Sequence, residues 1–433
     1  MIYGLITPED WTRFHNYARR TKNFISSDLT SINEINVDPS TFIRLARHSA
    51  EPLFPSLRRI SYSREGLQIA DPFLLLSPSI ERIDLAEVSP DSNKALALLS
   101  MLSGENPGLK SLNIVGTSSM TPPLLRPITQ LENLCSLSLG MLGQAIDKEI
   151  LQWIASLNHL TSLSIDFRAL DPSIRITTIN SPIFVGFNTL TSLSIAANPY
   201  LVQLALDQIG SARLEELSIT TWGTSAGGPR PHHRRGIVQQ WTSFATVANS
   251  RWNGSLRKLF IKHEMPISGM TPFLDVFAPL LSITTLEELE VKQAETHLII
   301  DASQYQRMGL VWRNLRLLHI RCVPHDSSNL TDILQRFSED CPDLTSLELP
   351  IVIDNVPANL PPEFISFHKL KFISFTQIQV GNILAFARYL DCLFPNLIRA
   401  RSIGNSFVDV ENTIKIFQAV RSYERSRMFA LCK

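Results

Sequence analysis

The sequence predicts an α/β solenoid, in which parallel strands line one side and helices the other. Three observations carry that expectation. A short apolar pattern recurs along most of the chain, its spacing is nearly constant, and segments of helical periodicity separate the copies. The pattern is an apolar residue, two variable ones, an apolar residue, one variable, then an apolar residue. Clear copies are Leu109-KSLNI, Leu134-CSLSL, Leu160-TSLSI, Leu190-TSLSI, Leu214-EELSI, Leu256-RKLFI, Leu286-EELEV, Leu315-RLLHI and Leu344-TSLEL. Weaker copies start at Leu57, Ile80, Leu370 and Leu397, which makes the mean period about 28 residues.

That period falls in the range of leucine-rich repeats, so the predicted fold is a leucine-rich-repeat solenoid, a horseshoe with parallel strands on the concave face and helices outside. Side chains alternate along a strand, so the fourth and sixth positions of each copy point inward and the third, fifth and seventh face solvent. Ser, Thr and β-branched residues inside the copies favour strand over helix, against a purely helical solenoid. Helices are expected over 94–102, 147–157, 200–209, 329–337 and 382–390. One repeat alone buries too little apolar surface to offset the entropy of ordering about 28 residues, so stability must come from stacking.

The ends read as caps. Residues 1–55 lack the pattern; Thr7-Pro8-Glu9-Asp10 has the chemistry of a helix start, and Trp11, Phe14 and Ala18 would then share a face. Residues 56–405 form the solenoid. Residues 406–433 form a C-terminal cap, a helix with Val410, Ile414, Phe417 and Val420 on its buried stripe. The interval from Leu214 to Leu256 is longer than its neighbours and carries a Gly- and Pro-rich loop insertion at 223–236, followed by an amphipathic stretch at 237–248. Arg230, Arg234 and Arg235 make the insertion basic; it reads as a surface loop, as a contact for an acidic partner, or least readily as a metal site, since His232 and His233 are adjacent and lack a third ligand.

The composition narrows the function. Forty Lys and Arg balance forty Asp and Glu, so the surplus of cations that phosphate binding needs is missing and nucleic acid is not an expected partner. No apolar run approaches membrane-spanning length. The five cysteines lie far apart without a CxxC pair, Glu9 and Asp10 interrupt any leader-like opening, and the expected location is cytoplasmic and/or nuclear. Phosphate-loop, dinucleotide, nucleophile-elbow, zinc-protease and kinase signatures are all missing from the sequence, so no enzyme activity and no cofactor are expected.

Binding is the expected class, and strand geometry names the surface. In the N-terminal half the outward positions are small: Ser111 and Asn113, Ser136 and Ser138, Ser162 and Ser164, Ser192 and Ser194. From Lys258 onward they become charged and aromatic. Interfaces concentrate their energy in aromatic and Arg anchors. The expected partner site therefore comprises Lys258, Phe260, Lys262, Glu288, Glu290, His319, Arg321 and Phe372, roofed by Trp222 and the insertion with Arg234 and Arg235. The alternative is that Phe260 packs under the insertion and the strand face is merely solvated.

Several stretches resemble a known family. LITPEDWTRFHNYARR, LFPSLRRISY (Leu53–Tyr62), LLLSPSIERIDL (Leu74–Leu85), ENPGLKSLNI and EDCPDLTSLEL are similar to fungal, basidiomycete-type F-box/leucine-rich-repeat proteins. The resemblance implies the substrate-binding part of a ubiquitin-ligase receptor, with a protein substrate held on the concave face. The F-box itself has no counterpart at residues 1–45. A Skp-family adaptor and a cullin are therefore implied only where an F-box lies upstream, and no adaptor-binding residue is carried over. A ubiquitin-independent scaffold is the alternative.

Overall fold

The computed structural model describes residues 7–26, 39–47, 51–62, 72–89, 93–105, 108–116, 122–140, 148–168, 186–222, 231–264, 271–293, 298–321, 325–326, 330–353, 366–378, 380–402 and 406–431. Each copy of the apolar pattern delivers a strand. The first residue of all thirteen copies, from Leu57 to Leu397, is 0–2% exposed. In nearly every strand the buried and half-exposed positions then alternate as the pleat requires. The chain is a leucine-rich-repeat solenoid.

It divides into two units, Met1–Asn198 with Asp207–Ser211, and Pro199–Leu206 with Ala212–Lys433. In the first unit the strands Asn23–Ser26, Arg59–Tyr62, Arg82–Val88, Ser111–Gly116, Ser136–Gly140, Ser162–Asp166 and Ser192–Ala197 each pair in parallel with the next. Equivalent positions stand in register, as in Leu112, Leu137, Leu163 and Leu193. The strand Asn23–Ser26 was not anticipated, because Asn23-Phe-Ile-Ser lacks the repeating pattern. The helix before it, Pro8–Ala18, starts as expected: the Asp10 N–H donates to Thr7 Oγ1 and the Thr7 N–H to Asp10 Oδ2, each at 3.2 Å.

In the second unit the parallel series is Glu216–Thr221, Lys258–His263, Glu288–Gln293, Leu317–Arg321, Ser346–Ile353, Phe372–Ile378 and Arg399–Arg401. Helices cover its apolar side. Leu330–Asp340 buries Leu330, Ile333, Leu334 and Phe337, and Ile383–Leu393 buries Phe386, Ala387 and Leu390. In the first unit Asn93–Glu105 buries Ala95, Leu98, Leu99 and Leu102 in the same way. Hydroxyls tie successive repeats: a side chain just before the first leucine of one repeat donates to the matching carbonyl of the repeat before it. Thr189 does so to Leu160 at 2.8 Å, Ser255 to Leu214 at 2.8 Å and Thr285 to Leu256 at 2.7 Å. These bonds satisfy backbone acceptors at the strand entrance that would otherwise be buried and unpaired.

One boundary and one burial differ from the sequence reading. The insertion expected as loop over 223–236 is helical from Pro231 onward, within Pro231–Trp252, while 223–230 lie outside the described residues. Proline at the first helical position is compatible with that start, and the helix is anchored by Trp241, Phe244, Ala248 and Trp252 in the core. The terminal helix runs over Ser406–Leu431, with Phe407, Val410 and Ile414 buried. Val420 is 50% exposed, contrary to its expected place on the buried stripe. Ten residues beyond Val410, a step of 100° per residue has turned it about 80° away from that stripe.

Candidate recognition face

The solvent side of the second sheet is built from repeat register. Third positions align as Glu216, Lys258, Glu288, Leu317, Ser346, Phe372 and Arg399. Fifth positions align as Ser218, Phe260, Glu290, His319, Glu348, Ser374 and Arg401, and seventh positions bring Lys262, Lys292 and Arg321 side by side. Residues 26 to 42 apart in sequence thus become lateral neighbours, about 4.8 Å apart.

The charges on this face pair with one another. Lys258 Nζ lies 3.0 Å from Glu288, Lys262 Nζ 2.8 Å from Glu264 and Arg321 Nε 2.6 Å from Glu348, and Lys292 pairs with Glu290. His319 sits at the centre, with Nε2 2.6 Å from Ser346 Oγ and Nδ1 4.0 Å from Glu290 and 3.9 Å from Glu348. Burial holds the His319 imidazole below its ordinary pKa despite the two glutamates, so it is neutral at physiological pH. Glu348 hydrogen-bonds Arg321 and raises its guanidinium pKa, and Glu288 does the same to the Lys258 ammonium.

Exposure separates the two signs. The side chains of Lys258, Lys262, Lys292 and Arg321 are 40–55% exposed, whereas those of Glu288, Glu290 and Glu348 are 17–22% exposed and that of Glu264, just past the end of its strand, 35%. The carboxylates are tucked between the strands and the cations stand over them. The outer layer is therefore basic although the formal charges nearly cancel. Phe260, half-buried, lies at one margin, and Phe372, 43% exposed, at the other. Four strand spacings place their backbones roughly 19 Å apart.

Eight of the expected residues thus share one surface: Lys258, Phe260, Lys262, Glu288, Glu290, His319, Arg321 and Phe372. Trp222, half-buried, directly follows the strand Glu216–Thr221. Arg234 and Arg235 lie in the first turns of the Pro231–Trp252 helix, and their side chains lie outside the described residues, as do residues 223–230 of the insertion at 223–236 expected to roof the patch. Sequence reasoning left out Glu348 and Ser346, although the rule that found His319 applies to them unchanged.

Close beneath this face is a buried polar pair that sequence inspection missed. Thr221 Oγ1 and His263 Nδ1 are 2.7 Å apart, both residues are buried, and the His263 ring meets Trp241 edge-on at 5.9 Å. Burial drives the His263 pKa down to about 4. The first unit has its own unforeseen cluster, in which Asp84 accepts from Arg59 at 2.9 Å and Arg82 at 3.0 Å. Burial pushes the Asp84 carboxyl up, but hydrogen bonds from Arg82 and Arg59 outweigh it and hold it below its usual value. Around that cluster the outward residues are the expected half-buried serines and Asn113.

Among the described residues, no group of three or more His, Cys, Asp or Glu side chains is arranged to hold a metal ion, and no helix is long and apolar enough to cross a membrane. No family model and no curated protein matches the chain. Two solved structures are similar in outline. An internalin from Listeria monocytogenes is 13% identical with a TM-score of 0.45, over 86% of this chain and 96% of that one. A leucine-rich-repeat protein from Leptospira interrogans is 12% identical with a TM-score of 0.43, over 93% of this chain and 90% of that one. The repeat geometry itself, and not these distant likenesses, carries the fold class.

Proposed function

We propose that the chain is a non-catalytic protein-recognition module whose partner docks on the solvent face of the strands from Lys258 to Phe372. The observation that carries this reading is the sign separation on that face: exposed cations over tucked glutamates, flanked by Phe260 and Phe372. Each ion pair is worth little as stability in water. Together they fix the cations in place before binding, which lowers the entropy a partner must offset. A protein surface bearing carboxylates between two apolar patches matches this layout.

The finer reading rests on the sequence resemblance to F-box/leucine-rich-repeat proteins, in which this part of the chain holds a substrate for a ubiquitin ligase in the cytoplasm or nucleus. Affinity purification of the wild-type chain and of a K258E/K262E double variant tests both levels. The recognition face predicts that acidic partners are lost from the variant; identical partner sets would overturn it. Co-purification of cullin and Skp-family subunits with the full-length gene product supports the ligase reading, and their absence with other partners retained favours a ubiquitin-independent scaffold.

A further inference from the structure

The terminal helix outruns the last strand. Phe407, Val410 and Ile414 dock it, but Ser422 through Met428 are all exposed, so its second half projects past the final repeat. Between that projection and the turn regions at 366–367 and 395–398 lies a groove of about 540 Å³. One wall is apolar and wet: Phe367 is 93% exposed and Ile398 56%. The other presents Lys415, Gln418, Arg421 and Arg425.

The lining holds three cations and no carboxylate. Two of the three are already engaged. Lys415 Nζ is 2.6 Å from Glu411, and Arg421 pairs with the buried Asp391. Gln418 Nε2 donates to Leu397 O at 2.8 Å, which fixes the groove floor. Arg425 makes no ion pair among the described residues, so it adds an unneutralised positive charge to the lining that also holds the exposed Phe367 ring.

The geometry points to this groove as a second docking surface, for a short acidic segment of a partner protein that also carries an apolar side chain. Charge complementarity selects the carboxylate, which would meet Arg425 and the outer face of Lys415. The apolar side chain would cover Phe367 and Ile398, which water now contacts at a free-energy cost. Interfaces draw most of their energy from such Arg and aromatic anchors. The surface is separate from the strand face and does not depend on it.

The test pans a displayed random-peptide library on the full chain and measures the selected peptides by fluorescence polarisation. The groove predicts sequences enriched in Asp or Glu beside an apolar residue. R425E and F367S should each weaken them by about tenfold or more, while K262E on the strand face leaves them unchanged. Both replaced side chains are solvent-exposed, and circular dichroism checks that the variants remain folded. Failure to enrich acidic–apolar peptides overturns the proposal. So does binding that ignores both R425E and F367S, or that is lost with K262E instead.

Discussion

Arg421→Met should undock the terminal helix, and the effect should fade in acid. Asp391 is buried at 5% exposure, Arg421 is its ion-pair partner, and the second carboxylate oxygen, Oδ1, has no hydrogen-bond partner among the described residues. Burial pushes the Asp391 carboxyl above its ordinary 3.8, and the Arg421 hydrogen bond only partly opposes this. Removing one member of a buried pair leaves an uncompensated charge, a loss of about 3–5 kcal/mol. A carboxyl whose folded pKa is raised binds its proton more tightly in the folded state, so its penalty grows as pH rises through the folded value and shrinks toward pH 3.8. In R421M the folded value climbs further, so the deficit is largest near neutrality and smallest in acid. Hydrogen exchange across residues 406–421 reads the local opening free energy directly. D391N/R421M should recover most of the loss, since no charge is then buried. An R421M helix as protected as wild type near neutrality, or a deficit that does not change with pH, would refute the reasoning.

Three further outcomes follow from buried groups. Leu289→Ala, at a fully buried position in the middle of the second unit's leucine stack, should destabilise urea unfolding by about 2–5 kcal/mol. His263, with its pKa lowered from 6.5 to about 4, binds fewer protons folded than unfolded. Its contribution is intact above pH 6.5 and falls by about 3 kcal/mol as pH drops to 4; H263Q should flatten that part of the stability–pH curve measured by urea titration. The Cys341 thiol is pushed up to about 12 by burial, so iodoacetamide should leave it unmodified in the native protein and label it in urea, as read by mass spectrometry.

The strands were legible because their pattern is local and repeated: each leucine from Leu57 to Leu397 announces its own burial, whatever its neighbours do. Helix centres were legible for the same reason, with Leu330–Asp340 and Ile383–Leu393 close to their expected bounds. What escaped depends on partners far away in sequence. Asn23–Ser26 is a strand because Arg59–Tyr62 offers it an edge, not because of its own four residues. Part of the sign separation on the recognition face arises from cross-strand pairs 27 and 30 residues apart, Arg321 with Glu348 and Lys258 with Glu288. The composition registers only that the charges cancel, and says nothing of which sign is uppermost. The terminal groove draws on Phe367, Ile398 and Arg425, three segments that no single window contains.

The recognition face stands or falls on lysine-acetylation footprinting of the full chain with a purified partner. Docking on the strand face predicts that Lys258, Lys262 and Lys292 lose reactivity when the partner saturates the chain, while Lys110 and Lys369, exposed elsewhere, react as before. Unchanged reactivity at all three strand lysines under a bound partner would contradict it.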